Sequence, residues 1–177
     1  METLTAVPPW HAQYEALYRE HSARVVRLCR WLLDDPQESQ EVAQEVFVKL
    51  LREYRVTDRR VEWGPWLTRV ALNVCRDRRR SGWWRWGRAG QQGVADVQVI
   101  DTGPTPEGAA LAGETRERIW RAFWRLPRRQ REVFVLRHLE GCSTEDVAAA
   151  LGVTTGSVKR HLFRAVQRLR EALGGGS

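Results

Sequence analysis

The stretch of sequence that decides the fold covers residues 126–173 and reads LPRRQREVFVLRHLEGCSTEDVAAALGVTTGSVKRHLFRAVQRLREAL. It predicts a helix, a short loop, a second helix, a tight turn and a third helix. Gly141 ends the first of these helices. Ser143 begins the second as its cap, with Asp146 three residues later in the pattern of a capping box. Gly152 then supplies the left-handed backbone that a sharp turn between helices needs.

The last helix of this stretch, capped by either Thr154 or Thr155, has one apolar and one basic face. The apolar residues recur at helical spacing and are Val158, Leu162, Ala165, Val166 and Leu169. The basic residues between them are Lys159, Arg160, His161, Arg164, Arg168 and Arg170. A short helix, a glycine turn and a basic helix in this order are typical of a helix-turn-helix that reads DNA.

The bulk composition agrees with a polyanionic partner. The chain has 177 residues, enough for one domain or two small ones, and a formal net charge of +7. Nucleic acid is the first candidate for such a charge balance. The amino-terminal residues lack the pattern of a signal peptide, and no apolar run is long enough to cross a membrane. We therefore expect a cytoplasmic protein without direct membrane insertion.

The reactive residues give no sign of catalysis. Cys29, Cys75 and Cys142 are odd in number and far apart, which argues against a disulfide framework or a zinc site and favours small buried or half-buried residues. The sequence shows no nucleophile–base pair, metal-ligand cluster or glycine-rich phosphate loop. We expect no catalytic residue, no metal, no cofactor, no small-molecule substrate and no enzymatic activity.

The first half of the chain also reads as helices. Apolar spacing predicts one helix over residues 10–33, a second over about 36–54 and a third that starts near Pro65, with a loop over 55–65 between the last two. The fold is predicted to be all-α.

The predicted second helix carries a stripe of acids, Glu38, Glu41 and Glu45, in an otherwise basic protein. Two interpretations are open. The stripe is either a solvated face, with Glu45 paired to Lys49 one turn later, or a docking face for a basic protein partner. The residues alone favour neither.

The loop over 55–65 and the helix after it form a second basic region. The loop carries Arg59, Arg60 and Trp63, and the helix carries Arg69, Asn73, Arg76 and Arg80 three or four residues apart. Aromatic and arginine side chains of this kind can hold unstacked bases. The alternative is a core tryptophan beside a solvated arginine face. Trp66 suits the core, whereas Trp63 fits either interpretation.

Residues 83–113 lack a sustained period and are rich in glycine, so we interpret them as a flexible linker. It separates a domain over 10–82 from a domain over 114–173, whose first helix is predicted over 114–126. Trp83, Trp84 and Trp86 are unusual in a linker. We expect them to pack against the first domain or a partner, ahead of stacking on DNA.

The stretch quoted first closely resembles region 4 of the extracytoplasmic-function (ECF) sigma factors, a subfamily of the bacterial sigma-70 family. ESQEVAQEVFVKLLREYR and WGPWLTRVALNVCRDRRR resemble the family's region 2. The resemblance implies a helical region 2 bundle and a region 4 helix-turn-helix. It also implies a factor that binds core RNA polymerase and directs promoter recognition, DNA melting and transcription initiation. Family members are commonly controlled by an anti-sigma factor.

The resemblance also implies roles for particular residues. Those implied to bind polymerase are Glu38, Glu41 and Glu45. Those implied to approach the −10 element are Arg59, Arg60, Trp63, Asn73, Arg76 and Arg80. Those implied to contact the −35 element, the first two by holding phosphates, are Thr155, Ser157, Lys159, Arg160, Phe163 and Arg164. His161 stands where the family often has arginine.

A free-standing activator or repressor with the same helix-turn-helix is the competing hypothesis. It leaves residues 36–80 without a role, and it predicts promoter binding without polymerase.

Overall fold

The computed structural model describes residues 9–57, 60–80 and 106–174. Within these ranges the chain forms helices and no strand, which confirms the predicted all-α class. Four residues singled out from the sequence lie outside the described ranges: Arg59, Trp83, Trp84 and Trp86. No helix in the described ranges has the length and apolar character needed to cross a membrane.

The chain divides into two units, Met1–Gly90 and Gln91–Ser177. The first unit contains three helices, each of which packs against the other two: α1 (Pro9–Leu32), α2 (Pro36–Val56) and α3 (Trp63–Arg80). Residues that their facing sides bury include Val25, Leu28, Leu32, Val42, Val46, Leu50, Leu67, Ala71 and Val74. Burial of these aliphatic side chains is the main stabilising contribution to such a bundle.

The loop between α2 and α3 is shorter than predicted. The Thr57 N–H donates to the Glu53 carbonyl at 3.0 Å, so α2 continues to Val56. The α3 helix already begins at Trp63. Pro65 is tolerated in its first turn, because a backbone N–H at that position would have no acceptor within the helix. Trp63 therefore lies on a helix rather than within a loop.

Two cysteines meet in the core of the first unit. Cys29 of α1 and Cys75 of α3 are both buried, whereas Cys142 of the second unit is half-buried. The hydrogen bond between Cys29 and Cys75 raises the pKa of the Cys75 thiol well above its ordinary value of 9.0, and burial adds to this effect. The Cys75 thiol is therefore protonated and packs as a small apolar side chain.

The second unit is arranged around its last helix. Its elements are α4 (Pro106–Trp124), α5 (Arg128–Phe134), a π-helical turn (Val135–Leu139), α6 (Thr144–Leu151) and α7 (Thr155–Gly174). The α7 helix packs against α4, α5 and α6. The buried residues here include Phe123, Leu126, Val133, Leu136, Val147, Leu151, Val158 and Ala165.

The α4 helix begins eight residues before its predicted start at residue 114. Residues 106–113, PEGAALAG, open with a proline, which is favourable in a first turn, and contain three alanines. The two glycines in this segment weaken the helix without ending it.

The first helix predicted in the stretch over 126–173 ends in the π-helical turn. Gly141, which was predicted to end this helix, adopts a left-handed φ of 66°. The last turn of the helix before Gly141 is wider than an α-helical turn. Its Glu140 N–H donates to the Val135 carbonyl at 3.0 Å, and the Cys142 N–H donates to the Leu136 carbonyl at 2.9 Å. These bonds satisfy carbonyls that a helix end would otherwise leave free.

The predicted turn between α6 and α7 is confirmed. The Asp146 N–H donates to Ser143 Oγ at 3.0 Å, and the Ser143 N–H donates back to the Asp146 carboxylate at 3.2 Å, which completes the capping box. Gly152 has a φ of 64°. The cap of α7 is Thr154, whose Oγ1 accepts from the Ser157 N–H at 3.2 Å.

Replacing Gly152 with alanine is expected to destabilise the second unit by about 1–2 kcal/mol, measured by urea unfolding. A Cβ at this position meets none of the described residues within 4 Å, so the cost comes from the left-handed backbone. Gly156→Ala is the matched control. Its Cβ would lie 3.9 Å from Thr154 Oγ1 on a helical backbone, and it should stabilise by up to about 0.5–1 kcal/mol. Equal effects at both positions would contradict the backbone explanation.

Candidate DNA-binding and protein-docking surfaces

The amino-terminal half of α7 presents the side chains expected of a recognition helix. Lys159, Arg160, Phe163 and Arg164 are all exposed. Phe163 is 69 % exposed although it is apolar, while Val158 on the inward face is 0 % exposed. An exposed aromatic ring among cations suits contact with the methyl group and edges of bases in the major groove.

Side chains at the start of α7 form hydrogen bonds with one another. Thr155 is exposed, whereas Ser157 is half-buried. Ser157 Oγ accepts from Thr154 Oγ1 at 3.1 Å and lies 3.5 Å from Arg160 Nη2. The Ser157 N–H already donates to the Thr154 cap, whereas the N–H groups of Thr155 and Gly156 have no acceptor within the helix. Such N–H groups at a helix start can hold a phosphate.

His161 is a feature whose surroundings the sequence did not reveal. Its side chain is half-buried, and among the described residues its Nδ1 has no hydrogen-bond partner. Arg160 and Arg164 flank it on α7, and Arg129 approaches from α5. Burial and then these three guanidinium groups lower the pKa of His161 below its ordinary value of 6.5. His161 is therefore held neutral within a cationic surface.

Replacing His161 with glutamine is expected to flatten the loss of stability in acid. Because the folded pKa lies below the unfolded value, the unfolded chain binds a proton first as the pH falls. The wild-type protein therefore loses stability below about pH 6.5, and the variant should lose less. The measurement is the thermal unfolding midpoint at about pH 7.5 and pH 5.5 for both proteins. An equal drop in the two proteins would mean that other groups cause it.

The predicted −10 residues fall into two sets in the structure. Asn73, Arg76 and Arg80 follow one another along α3, with Asn73 and Arg80 exposed and Arg76 half-buried. Arg60 is exposed just before α3, while Arg59 lies outside the described residues. The polar and basic row therefore lies along the second half of α3, whereas Arg60 precedes the first residue of this helix.

Trp63 belongs to an aromatic cluster rather than to the core. Its ring centroid lies 5.6 Å from that of Tyr54 and 5.6 Å from that of Trp66. Trp63 and Trp66 are both half-buried, so the prediction that Trp66 is a core residue is wrong. The cluster offers aromatic surface to solvent at the start of α3, which is a geometry that stacks on an unpaired base.

The acidic stripe on α2 is paired within the first unit. Arg78 of α3 lies 3.4 Å from Glu41 and 3.6 Å from Glu45. The anticipated pair between Lys49 and Glu45 also forms, at 3.6 Å. Glu41 is exposed and Glu45 is half-buried, so both carboxylates still border solvent. Such exposed pairs contribute at most about 1 kcal/mol and are easily exchanged for other partners.

Glu38 differs from the other two acids of the stripe. It is half-buried, and burial raises its pKa above the ordinary value of 4.5 although Arg78 and Arg79 oppose this effect. Its Oε1 atom is buried without a hydrogen-bond partner among the described residues. A cationic group brought to this position would supply the missing partner.

Both halves of the chain match known sequence families. The family described as Sigma-70 region 2 matches residues 17–85, and Sigma-70, region 4 matches residues 116–169. The RNA polymerase sigma-E factor of Streptomyces avermitilis is 32 % identical over 167 residues, which cover 91 % of this chain and 85 % of the relative. The ECF RNA polymerase sigma factor SigW of Bacillus subtilis is 27 % identical over 155 residues, 85 % of this chain and 83 % of the relative.

A solved structure shares the fold. It is the sigma factor RpoE of Bartonella quintana, crystallised with the anti-sigma factor NepR. The likeness has a TM-score of 0.69 at 18 % identity and covers 93 % of this chain and 99 % of that one.

Proposed function

This chain belongs to the ECF subfamily of the sigma-70 family of RNA polymerase sigma factors, and we propose that its two helical units divide promoter recognition between them. As a factor of this family it binds core polymerase and directs promoter recognition, DNA melting and transcription initiation. We assign residues 10–82 to binding of polymerase and the −10 element, residues 83–113 to a linker and residues 114–173 to binding of the −35 element.

The observation that carries the proposal is the exposed basic and aromatic face of α7. We assign −35 readout to Lys159, Arg160, Phe163 and Arg164, with the first-turn residues Thr155 and Ser157 holding phosphates. Each base contact of this kind contributes about 1–3 kcal/mol of discrimination, whereas phosphate contacts supply affinity that falls with salt.

We assign the −10 element to the row along α3 and to the aromatic cluster that precedes it. Asn73, Arg76 and Arg80 approach the DNA, and Arg59, Arg60 and Trp63 hold the unpaired strand. Capture of a flipped base costs unstacking energy, which stacking on Trp63 offsets by about 1–3 kcal/mol.

We assign polymerase docking to Glu38, Glu41 and Glu45. The support is that two of these carboxylates already hold a guanidinium group, from Arg78, and that the third has no partner at Oε1 within the part of the chain that the structure describes. Basic side chains on a surface of core polymerase would form ion pairs with these glutamates in the same way as Arg78 does. Docking tethers both DNA-binding units to the same particle and raises their effective concentration on the promoter.

We further propose that the chain has no catalytic activity of its own and serves the polymerase as an initiation factor. It acts in the cytoplasm, where its relatives' polymerase lies. It is held inactive by an anti-sigma factor until a signal releases it.

Genome-wide mapping of transcription starts after overexpression tests the proposed function. New starts that share one −35 motif and one −10 motif at a fixed spacing are expected. New starts without shared motifs, or none at all, would contradict it.

A further inference from the structure

A single arginine of α1 holds the beginning of α3. Arg24 Nη1 donates to Thr68 Oγ1 at 2.9 Å, and Arg24 Nη2 donates to the Gly64 carbonyl at 2.9 Å. Thr68 Oγ1 in turn donates to the same Gly64 carbonyl at 3.1 Å. The three groups form a closed triangle between two helices, and Arg24 lies 40 residues from Gly64 and 44 residues from Thr68 in the sequence.

These hydrogen bonds hold the first turn of α3 at Gly64, a residue that has no side chain of its own to pack. Among the described residues, a Cβ built at Gly64 would meet no atom from another part of the chain within 4 Å. Thr68 is 5 % exposed, and Arg24 is half-buried, so the bonds are partly shielded from water. Hydrogen bonds from a charged group are stronger than neutral ones, and the planar guanidinium matches two acceptors at once.

The turn that Arg24 holds is the one that carries Trp63. Trp63 is the first residue of α3 and directly precedes Gly64 in the chain, and the Gly64 carbonyl accepts the hydrogen bond from Arg24. The Trp63 ring also packs against the rings of Tyr54 and Trp66, with a centroid distance of 5.6 Å to each. The fixed first turn and these two ring contacts together hold the direction of the aromatic ring.

We propose that Arg24 is a positioning residue for promoter opening, because it orients Trp63 to receive an unpaired base of the −10 element. The inference rests on the proposed function of the first unit. A platform that is already oriented does not have to be ordered during capture, so the cost of flipping the base is opposed by the full stacking energy. Arg24 itself touches no DNA in this scheme.

The test measures promoter opening by the holoenzyme, meaning core polymerase with this chain. A 2-aminopurine base in the non-template strand of the −10 element reports unstacking by its fluorescence. Arg24→Met should slow opening about tenfold, and Thr68→Val, which removes two of the three hydrogen bonds, about threefold. Arg27→Met is the control, since Arg27 is an exposed arginine of the same helix, and opening should stay at the wild-type rate.

Two further readouts separate positioning from a general loss of structure. Arg24→Met should bind core polymerase within about twofold of the wild type. It should also transcribe within about twofold of the wild type from a template whose −10 region is already unpaired by mismatches. If Arg24→Met unfolds at the assay temperature, Thr68→Val provides the same comparison.

The inference is overturned if Arg24→Met and Thr68→Val open the duplex promoter at the wild-type rate. It is also overturned if their defect is equally large on the mismatched template. Failure of the wild-type holoenzyme to open any promoter is a different result, which would remove the proposed function itself along with the inference.

Discussion

Reversing the charges of Glu41 and Glu45 together is expected to weaken binding of core polymerase at least tenfold, about 1.4 kcal/mol or more. The double variant Glu41→Lys/Glu45→Lys places two cations where a basic partner would dock. It also sets them beside Arg78, which now lies 3.4 Å from Glu41 and 3.6 Å from Glu45. The measurement is an equilibrium titration of labelled protein with core polymerase at fixed ionic strength.

A control with the same change in net charge separates docking from general electrostatics. Glu15→Lys/Glu20→Lys alters two exposed acids of α1 and should leave polymerase affinity within about twofold. Glu41→Gln/Glu45→Gln removes the charges without repelling Arg78 and should give an intermediate loss while the unit stays folded. If the reversed variant is folded and binds polymerase as the wild type does, the docking assignment is wrong.

Replacing Arg164 with alanine is expected to reduce discrimination at the −35 element about tenfold, which corresponds to loss of one base-edge contact. Arg164 is exposed on α7 directly after Phe163, whereas the next residue, Ala165, is buried. The measurement is the ratio of holoenzyme affinities for a matched promoter and one altered at single −35 positions. The ratio should fall at one position and stay constant at the others.

Arg168→Ala provides the matched comparison one turn farther along the same helix. Arg168 is also exposed, but it lies beyond the amino-terminal half that enters a groove in helix-turn-helix proteins. Its loss should weaken all promoters alike and reduce the salt slope by about 0.9. Uniform weakening by Arg164→Ala would show that Arg164 contacts only phosphate.

The helix-turn-helix could be predicted from the sequence because its signals are local. Gly141 and Gly152 mark left-handed positions, and Ser143 and Asp146 are three residues apart in the chain and in the capping box. Such features depend on residues within one helical turn of each other, so a short stretch of sequence is enough to predict them. The exposed basic face of α7 follows from helical periodicity in the same way.

The contacts between helices could not be predicted in this way. Arg78 meets Glu41 across 37 residues of sequence, and Arg24 meets Thr68 across 44. Which of several arginines makes each contact depends on the packing of three helices, not on spacing within one. The environment of His161 depends likewise on Arg129, which α5 brings to it.

The boundaries that differ from the prediction have physical reasons of their own. A proline is tolerated anywhere in the first turn of a helix, so a helix can begin at the proline or shortly before it. The α3 helix begins two residues before Pro65, near which its start was predicted. The α4 helix begins at Pro106, whereas its start was predicted at residue 114. The wide turn over Val135–Leu139 arises from hydrogen bonds to the residues around Gly141, which a periodic pattern does not contain.

The central claim is that this chain recognises promoters as part of RNA polymerase, and a gel shift with and without core polymerase tests it most directly. A promoter found by mapping transcription starts is incubated with the chain, with core polymerase and with both. We predict a tight complex that depends on the −35 and −10 sequences only when both proteins are present. Tight, sequence-specific binding by the chain alone, unchanged by core polymerase, would contradict the account and favour a free-standing regulator.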